Sequence, residues 1–126
     1  IVGLVASRLR EKIDRPVIAF ADAGVVAPDE LKGSARSIDA LHVRDALDAV
    51  AARHPGMLVR FGGHAMAAGL VIKRVHYDRF ARAFDAVVER LVPATALTRT
   101  LETDGSLAAS ALNLETARLL RDAGPW

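Results

Sequence analysis

At 126 residues, 52% of them hydrophobic and 25% charged, the chain suits one packed core and the start of a second domain, and is too apolar for global disorder. Seventeen Lys and Arg against fifteen Asp and Glu leave a net charge of +2, so any contact with nucleic acid has to come from a few placed arginines, not from a cationic surface. The absence of cysteine excludes a disulfide scaffold and a thiolate metal site, and no apolar run reaches membrane-spanning length or forms a signal-peptide pattern. These features fit a cytoplasmic protein with no membrane contact.

In chain order, Ile1, Val5, Leu9 and Ile13 recur every four positions with charged residues between them, the spacing of an amphipathic helix over Ile1–Ile13. The chain opens inside this periodic segment and reads as a piece of something longer. Arg15-Pro16 ends the helix, because a residue before proline avoids the helical region. Val17–Ala21 is a β-prone run, Asp22-Ala23-Gly24 and Ala27-Pro28-Asp29 are turns, and the segment between them is an exposed hairpin or loop. Glu30–Ile38 alternates weakly and reads as a strand interrupted by Gly33. A second helix is expected over Val43–Arg53, with Val43, Leu47, Val50 and Ala51 on one face and His54-Pro55-Gly56 as its stop.

Met57–Phe61 is the next strand, and it leads into Gly62-Gly63-His64-Ala65-Met66-Ala67-Ala68-Gly69, the stretch around which the rest is organised. Adjacent glycines suit a sharp turn or a close approach to a ligand. The histidine after them can donate a hydrogen bond to an anion or exchange a proton near neutral pH. On pattern alone a Gly-Gly turn with a surface histidine remains an equal alternative. Leu70–Lys73 is the strand that leaves the loop, and Tyr77–Leu91 is a helix with Phe80, Phe84, Val87, Val88 and Leu91 on one face. Pro93 closes it and marks a domain boundary, dividing the chain into residues 1–92 and 93–126. In the tail, Leu97–Thr103 alternates like a strand with an unpartnered edge open to pairing with another chain. Asp104-Gly105 follows as a turn, and a helix capped by Asn113 runs from Leu114 to Arg121. The expected fold is therefore α/β, a small mixed sheet with packed helices followed by a truncated β-rich segment.

A second anion-friendly element is Gly33-Ser34-Ala35-Arg36-Ser37, where two hydroxyls accompany a guanidinium whose planar fork suits phosphate. A polar strand edge with an ordinary surface arginine explains the same residues. The other ionisable residues have plainer readings. His42 and His54 flank the second helix, and His76 opens the last one as a solvated cap. Arg8, Arg10 and Arg15 lie on solvated faces, and Asp45 and Asp48 pair with Arg44 or water. No carboxylate or histidine cluster has metal-ligand spacing.

Lys32–Ile38, Leu41–Leu47 and Phe61–Gly69, in this order and spacing, together resemble the DHH-associated domain of the RecJ-type bacterial single-strand-specific DNA exonucleases. The resemblance covers about Ile1 to Pro93, and the tail looks like the start of the oligonucleotide-binding fold that follows in that family. Ala35 departs from the glycine often found there. The resemblance implies a nuclease acting on single-stranded DNA from the five-prime end in repair and recombination. A separate DHH domain would hold Mn2+ or Mg2+ and face this one across a cleft, so no metal is expected in this segment and no activity from it alone. It further implies that His64, with Gly62 and Gly63, reaches the scissile phosphate. Gly33, Ser34, Arg36 and Ser37 would bind the terminal phosphate or the strand's backbone. The rival readings are a DHH phosphoesterase of short oligonucleotides or nucleotide phosphates, and a single-strand-binding module without catalysis.

Overall fold

The computed structural model describes residues 1–98, 103 and 105–124. The elements are α1 (Val2–Ile13), β1 (Val17–Asp22), β2 (Glu30–Arg36), α2 (Val43–Arg53), β3 (Leu58–Gly63), β4 (Ala67–Lys73), α3 (Tyr77–Leu91) and α4 (Leu114–Asp122). Short 3₁₀ turns occupy Arg74–His76, Ala94–Leu97 and Ala109–Ala111.

The four strands form one sheet in the order β1-β2-β4-β3, and every pairing is antiparallel. This corrects the expected mixed sheet, while the α/β class with packed helices stands. The physical reason is that β1–β2 and β3–β4 are hairpins, and β4 returns alongside β2 in the opposite sense.

Because successive residues of a strand point to opposite faces, the register sorts the sheet into two surfaces. On one surface lie the cross-strand rows Phe20–Gly33–Leu70–Phe61 and Ile18–Ala35–Ala68. This side carries the core, where Leu31, Ala35, Ala68, Leu70 and Ile72 meet Val43, Leu47 and Val50 of α2 and Phe80, Phe84 and Val87 of α3. Phe80 sits edge-on to Phe20, with centroids 5.8 Å apart, and stacks on Phe84 at 6.0 Å. Fully burying one such side chain contributes about 1.5–3 kcal/mol.

The opposite surface carries the rows Val17–Arg36–Ala67, Ala19–Ser34–Gly69–Gly62 and Ala21–Lys32–Val71–Arg60. α1 covers its β1–β2 half. The helix is where its periodicity predicts, but it does not bury the residues that produce the periodicity. Ile1, Val5, Leu9 and Ile13 are exposed, and Ala6 is the one fully buried residue of α1. The side turned to the sheet is made of small residues, because a helix lying close over Arg36 leaves no room there for larger ones. A Cβ on Gly3 would stand 2.9 Å from Arg36 Nη2 and 3.3 Å from Ser34 Oγ. α1 ends at Asp14, which adopts the left-handed conformation (φ 51°) and donates its N–H to the Arg10 carbonyl.

Two strand boundaries move from their expected places. β2 stops at Arg36 rather than Ile38, and the Ser37 N–H still donates to the Met66 carbonyl (2.9 Å), which closes this end of the β2–β4 pairing. β4 begins at Ala67 rather than Leu70, so half of the Ala- and Gly-rich run is strand. Past Pro93, Ala96 and Leu97 still pack against the core, and Arg15 Nη1 donates to the Leu97 carbonyl (2.6 Å). Of the expected Leu97–Thr103 strand, Leu97 ends a 3₁₀ turn and residues 99–102 lie outside the described residues, as does Asp104 of the expected turn. α4 forms as read, with Asn113 Oδ1 accepting the Thr116 N–H at 2.9 Å.

Candidate nucleic-acid interface

The two glycine-flanked elements meet at one end of the sheet. Arg36 is the last residue of β2 and pairs with Ala67, the first of β4, while Gly63, the last of β3, pairs with Ala68. The turn between β3 and β4 therefore rises beside Arg36, and His64 is its first residue.

That turn is built to hold one shape. Gly63 adopts φ +148°, and a Cβ there would lie 2.4 Å from the Ala67 carbonyl oxygen and 2.5 Å from Ala68 Cα, so only glycine fits. The His64 N–H donates to the Ala67 carbonyl at 2.8 Å. Two further bonds tie the turn to the body. The Ala65 carbonyl accepts the Val43 N–H at the start of α2 (2.9 Å), and the Met66 carbonyl accepts the Ser37 N–H. His64 itself is exposed on this anchored turn, so its imidazole can meet a ligand without local rearrangement.

Arg36 is half-buried under α1. Its Nε donates to Ser7 Oγ (3.0 Å), and its Nη1 donates to Ser34 Oγ (3.0 Å) and to the Ala35 carbonyl (2.8 Å). Three of its five donors are thus used to fix the plane, and Nη2 has no protein acceptor among the described residues. A guanidinium oriented in this way offers its remaining edge to an anion with little side-chain entropy left to lose. Ser34 belongs to the same group as an orienting acceptor. Ser7 and Gly3 join it from α1; the exposed apolar stripe of that helix points sequence reasoning to the wrong face.

Two expected members of the group are placed elsewhere. Ser37 is 1% exposed and its hydroxyl donates to the Leu41 carbonyl (2.6 Å), closing the loop into α2. It does not reach the surface, because side chains alternate along β2 and Ser37 falls on the same core-facing side as Leu31, Gly33 and Ala35, opposite to Ser34 and Arg36. Gly33 sits in the row whose side chains face the core. A Cβ there would come within 2.7 Å of Leu70 Cδ2 and Phe20 Cε1, so its smallness serves packing. Gly62 is on the open surface, paired with Gly69, and nothing lies within 4 Å of where either Cβ would be.

The other histidines have terminal roles. His42 Nδ1 accepts the Asp45 N–H (3.3 Å) as the cap of α2, His54 is its C-terminal cap, and His76 precedes α3 without a side-chain capping bond. Arg44 lies 3.8 Å from Asp48. Among the described residues no three His, Asp or Glu side chains are grouped to hold a metal ion.

The sequence pattern of the DHHA1 domain matches residues 1–92. The chain belongs to the DHHA1 domain family. Its DHHA1 region contains both elements of the site, and the similarity continues beyond it. The single-stranded-DNA-specific exonuclease RecJ of Dickeya dadantii strain 3937 is 48% identical over all 126 residues, and that of Escherichia coli strain K12 is 46% identical over the same span. In both cases the chain spans 21% of the relative's length. A crystal structure of RecJ from Thermus thermophilus in complex with Mg2+ matches the DHHA1 fold with a TM-score of 0.55 at 32% identity, covering 70% of this chain and 12% of that one. The Mn2+ complex from the same source matches with the same values. No helix among the described residues is long and apolar enough to cross a membrane.

Proposed function

We propose that this chain is the substrate-holding part of a metal-dependent exonuclease that degrades single-stranded DNA from the five-prime end. The observation that carries the reading is the meeting of an oriented guanidinium, Arg36, with an exposed imidazole on a rigid turn, His64, at one end of one sheet. Identities of 46–48% to named RecJ exonucleases over the whole chain support single-stranded DNA as the substrate of that geometry. In this reading Arg36, oriented by Ser34, holds the terminal phosphate through a charge-assisted bond worth about 1.5–3 kcal/mol. Gly62 and Gly63 let the strand approach the backbone, and His64 donates a hydrogen bond to the scissile phosphate, where charge builds as the bond breaks.

In this reading the metal, Mn2+ or Mg2+ as in the RecJ structures, would be held by a DHH domain and not by these residues. When bound, it would supply an activated water and stabilise the displaced oxygens. Residues 93–126 begin an oligonucleotide-binding fold that extends the strand's path. The enzyme works in the cytoplasm in repair and recombination.

The test is made in the full-length enzyme. Arg36→Ala should weaken the preference for five-prime-phosphorylated over five-prime-hydroxyl ends, and an unchanged preference removes Arg36 from the anchoring role. His64→Ala should lower kcat about a hundred- to a thousandfold, the usual effect of losing one preorganised donor, with a modest loss of binding. A dinucleotide hydrolysed faster than a long strand would turn the reading toward a phosphoesterase of short oligonucleotides.

A further inference from the structure

Beyond the part of the open surface that α1 covers lies a shallow trough of about 340 Å³, spanning β2, β4 and β3. Its lining includes the bare backbone of Gly62 and Gly69, with Lys32, Arg60 and Val71 along one side. Lys32 and Arg60 come from strands at opposite sides of β4 and share a cross-strand row with Val71 between them. Both are exposed, and neither has an ion-pair partner among the described residues. Glu30, two residues before Lys32 on the same side of β2, is already engaged by Lys73 at 3.1 Å. Two cations flanking an uncovered trough on a chain of net charge +2 are a local concentration of positive charge, the pattern that attracts a polyanion.

The position of the trough narrows the ligand. The row Lys32–Val71–Arg60 runs beside the row Ser34–Gly69–Gly62, which in turn adjoins Arg36–Ala67. A chain lying in the trough is thus continuous with the Arg36 and His64 end. Lys32 and Arg36 are four residues apart on one strand, about 13 Å, and Arg36 is turned toward Ser7 on α1. The two cations therefore serve a different phosphate from the one at Arg36.

We propose that Lys32 and Arg60 form a second phosphate-holding station, which grips the backbone of a single strand beyond the nucleotide at Arg36 and His64. This rests on the reading of the chain as a single-strand-holding module, and it adds a length requirement. A substrate that ends within the first station gains nothing from the trough, whereas a longer one is held at two points.

The test uses the full-length protein with a five-prime-phosphorylated dinucleotide and a long oligothymidylate, binding being measured across a salt series with chelator present to prevent digestion. The double variant Lys32→Gln/Arg60→Gln should flatten the slope of log Kobs against log salt for the long strand by about 0.7 for each lost contact. It should leave dinucleotide binding as it was. In turnover with metal it should raise KM for the long strand more than it lowers kcat, and Lys32→Arg/Arg60→Lys should restore the slope. A slope equal to wild type on the long strand overturns the second station and leaves the parent reading intact. Equal losses on dinucleotide and long strand overturn it too, since they mark a general loss of charge or fold. Wild-type protein that fails to hold the long strand overturns the parent reading and this one together.

Discussion

The two surfaces of the sheet are made from the same four strands, yet they are finished in opposite ways. On one, side chains from α2 and α3 pack against the sheet, and even Gly33 is small because Phe20 and Leu70 lean over it. On the other, Gly62 and Gly69 face nothing within 4 Å, and α1 covers only the half over β1 and β2. A glycine in a strand thus stands in two settings here: beneath neighbours that leave no room for a side chain, or on backbone that nothing in the chain covers. The difference lies in which face the residue points to, and pairing register decides that.

The sharpest way to break the comparison is to damage the filled side. Phe80 is 2% exposed between Phe20 and Phe84, so Phe80→Ala should destabilise the chain by about 3–5 kcal/mol, measured by urea unfolding. A loss below about 1 kcal/mol would mean that this side is loosely packed and the contrast false.

Next in size is the exchange of one hydrogen for a methyl on each side. Gly33→Ala forces a Cβ to within 2.7 Å of Leu70 and Phe20, and overpacking of this kind costs about 1–3 kcal/mol. Gly62→Ala meets open space and should leave stability within about 0.5 kcal/mol of wild type. Binding of single-stranded DNA by the full-length protein should respond to Gly62→Ala, because the methyl group projects into the trough. If both variants lose the same stability, the open surface is a packing surface whose partner lies elsewhere in the protein.

The same contrast explains which parts of the molecule are legible in the sequence. α2 and α3 can be read directly because their apolar periodicity and their burial largely coincide: Val43, Leu47 and Val50, then Phe80, Phe84 and Val87, are all in the core, while Val88 is only partly buried and Leu91, at the end of the same stripe, is exposed. α1 shows the same periodicity, but it packs through Gly3, Ala6 and Ser7. Periodicity reveals an apolar stripe without saying whether this chain covers it. The start of β4 at Ala67 is hidden because Ala and Gly have little strand preference, and only pairing with β2 and β3 makes them strand. At the candidate site, Arg36 and His64 are residue types that suit an anion, and the sequence marks them for that reason. Ser37 looks equivalent to Ser34 because a hydroxyl carries no mark of its burial. Lys32 and Arg60 escape notice because they are 28 positions apart in the chain and adjacent only through the register of β2, β4 and β3.

The smallest expected effect comes from a third cation near the same surface, and it separates charge in general from charge at the trough. Lys73 pairs across the ladder with Glu30, and its Nζ is 2.8 Å from Asp29 Oδ2 and 3.1 Å from Glu30 Oε1. The hydrogen bond from Lys73 holds the Asp29 carboxyl below its usual range, and Asp29 together with Glu30 holds the Lys73 ammonium above its own. A depressed carboxyl contributes above its unfolded value and loses that contribution as pH falls through the folded one, while a raised ammonium loses its contribution as pH rises through its folded value. The cluster is therefore intact across the neutral range and weakens only in acid or strong base. Because these groups are solvent-exposed, salt screens what they contribute. Lys73→Gln should accordingly flatten the acid limb of the stability–pH curve slightly and leave the salt slope of single-strand binding at the wild-type value, since its charge is already neutralised. Were Lys73→Gln to flatten that slope as much as Lys32→Gln/Arg60→Gln, the strand would be responding to total charge and not to an arranged pair of cations.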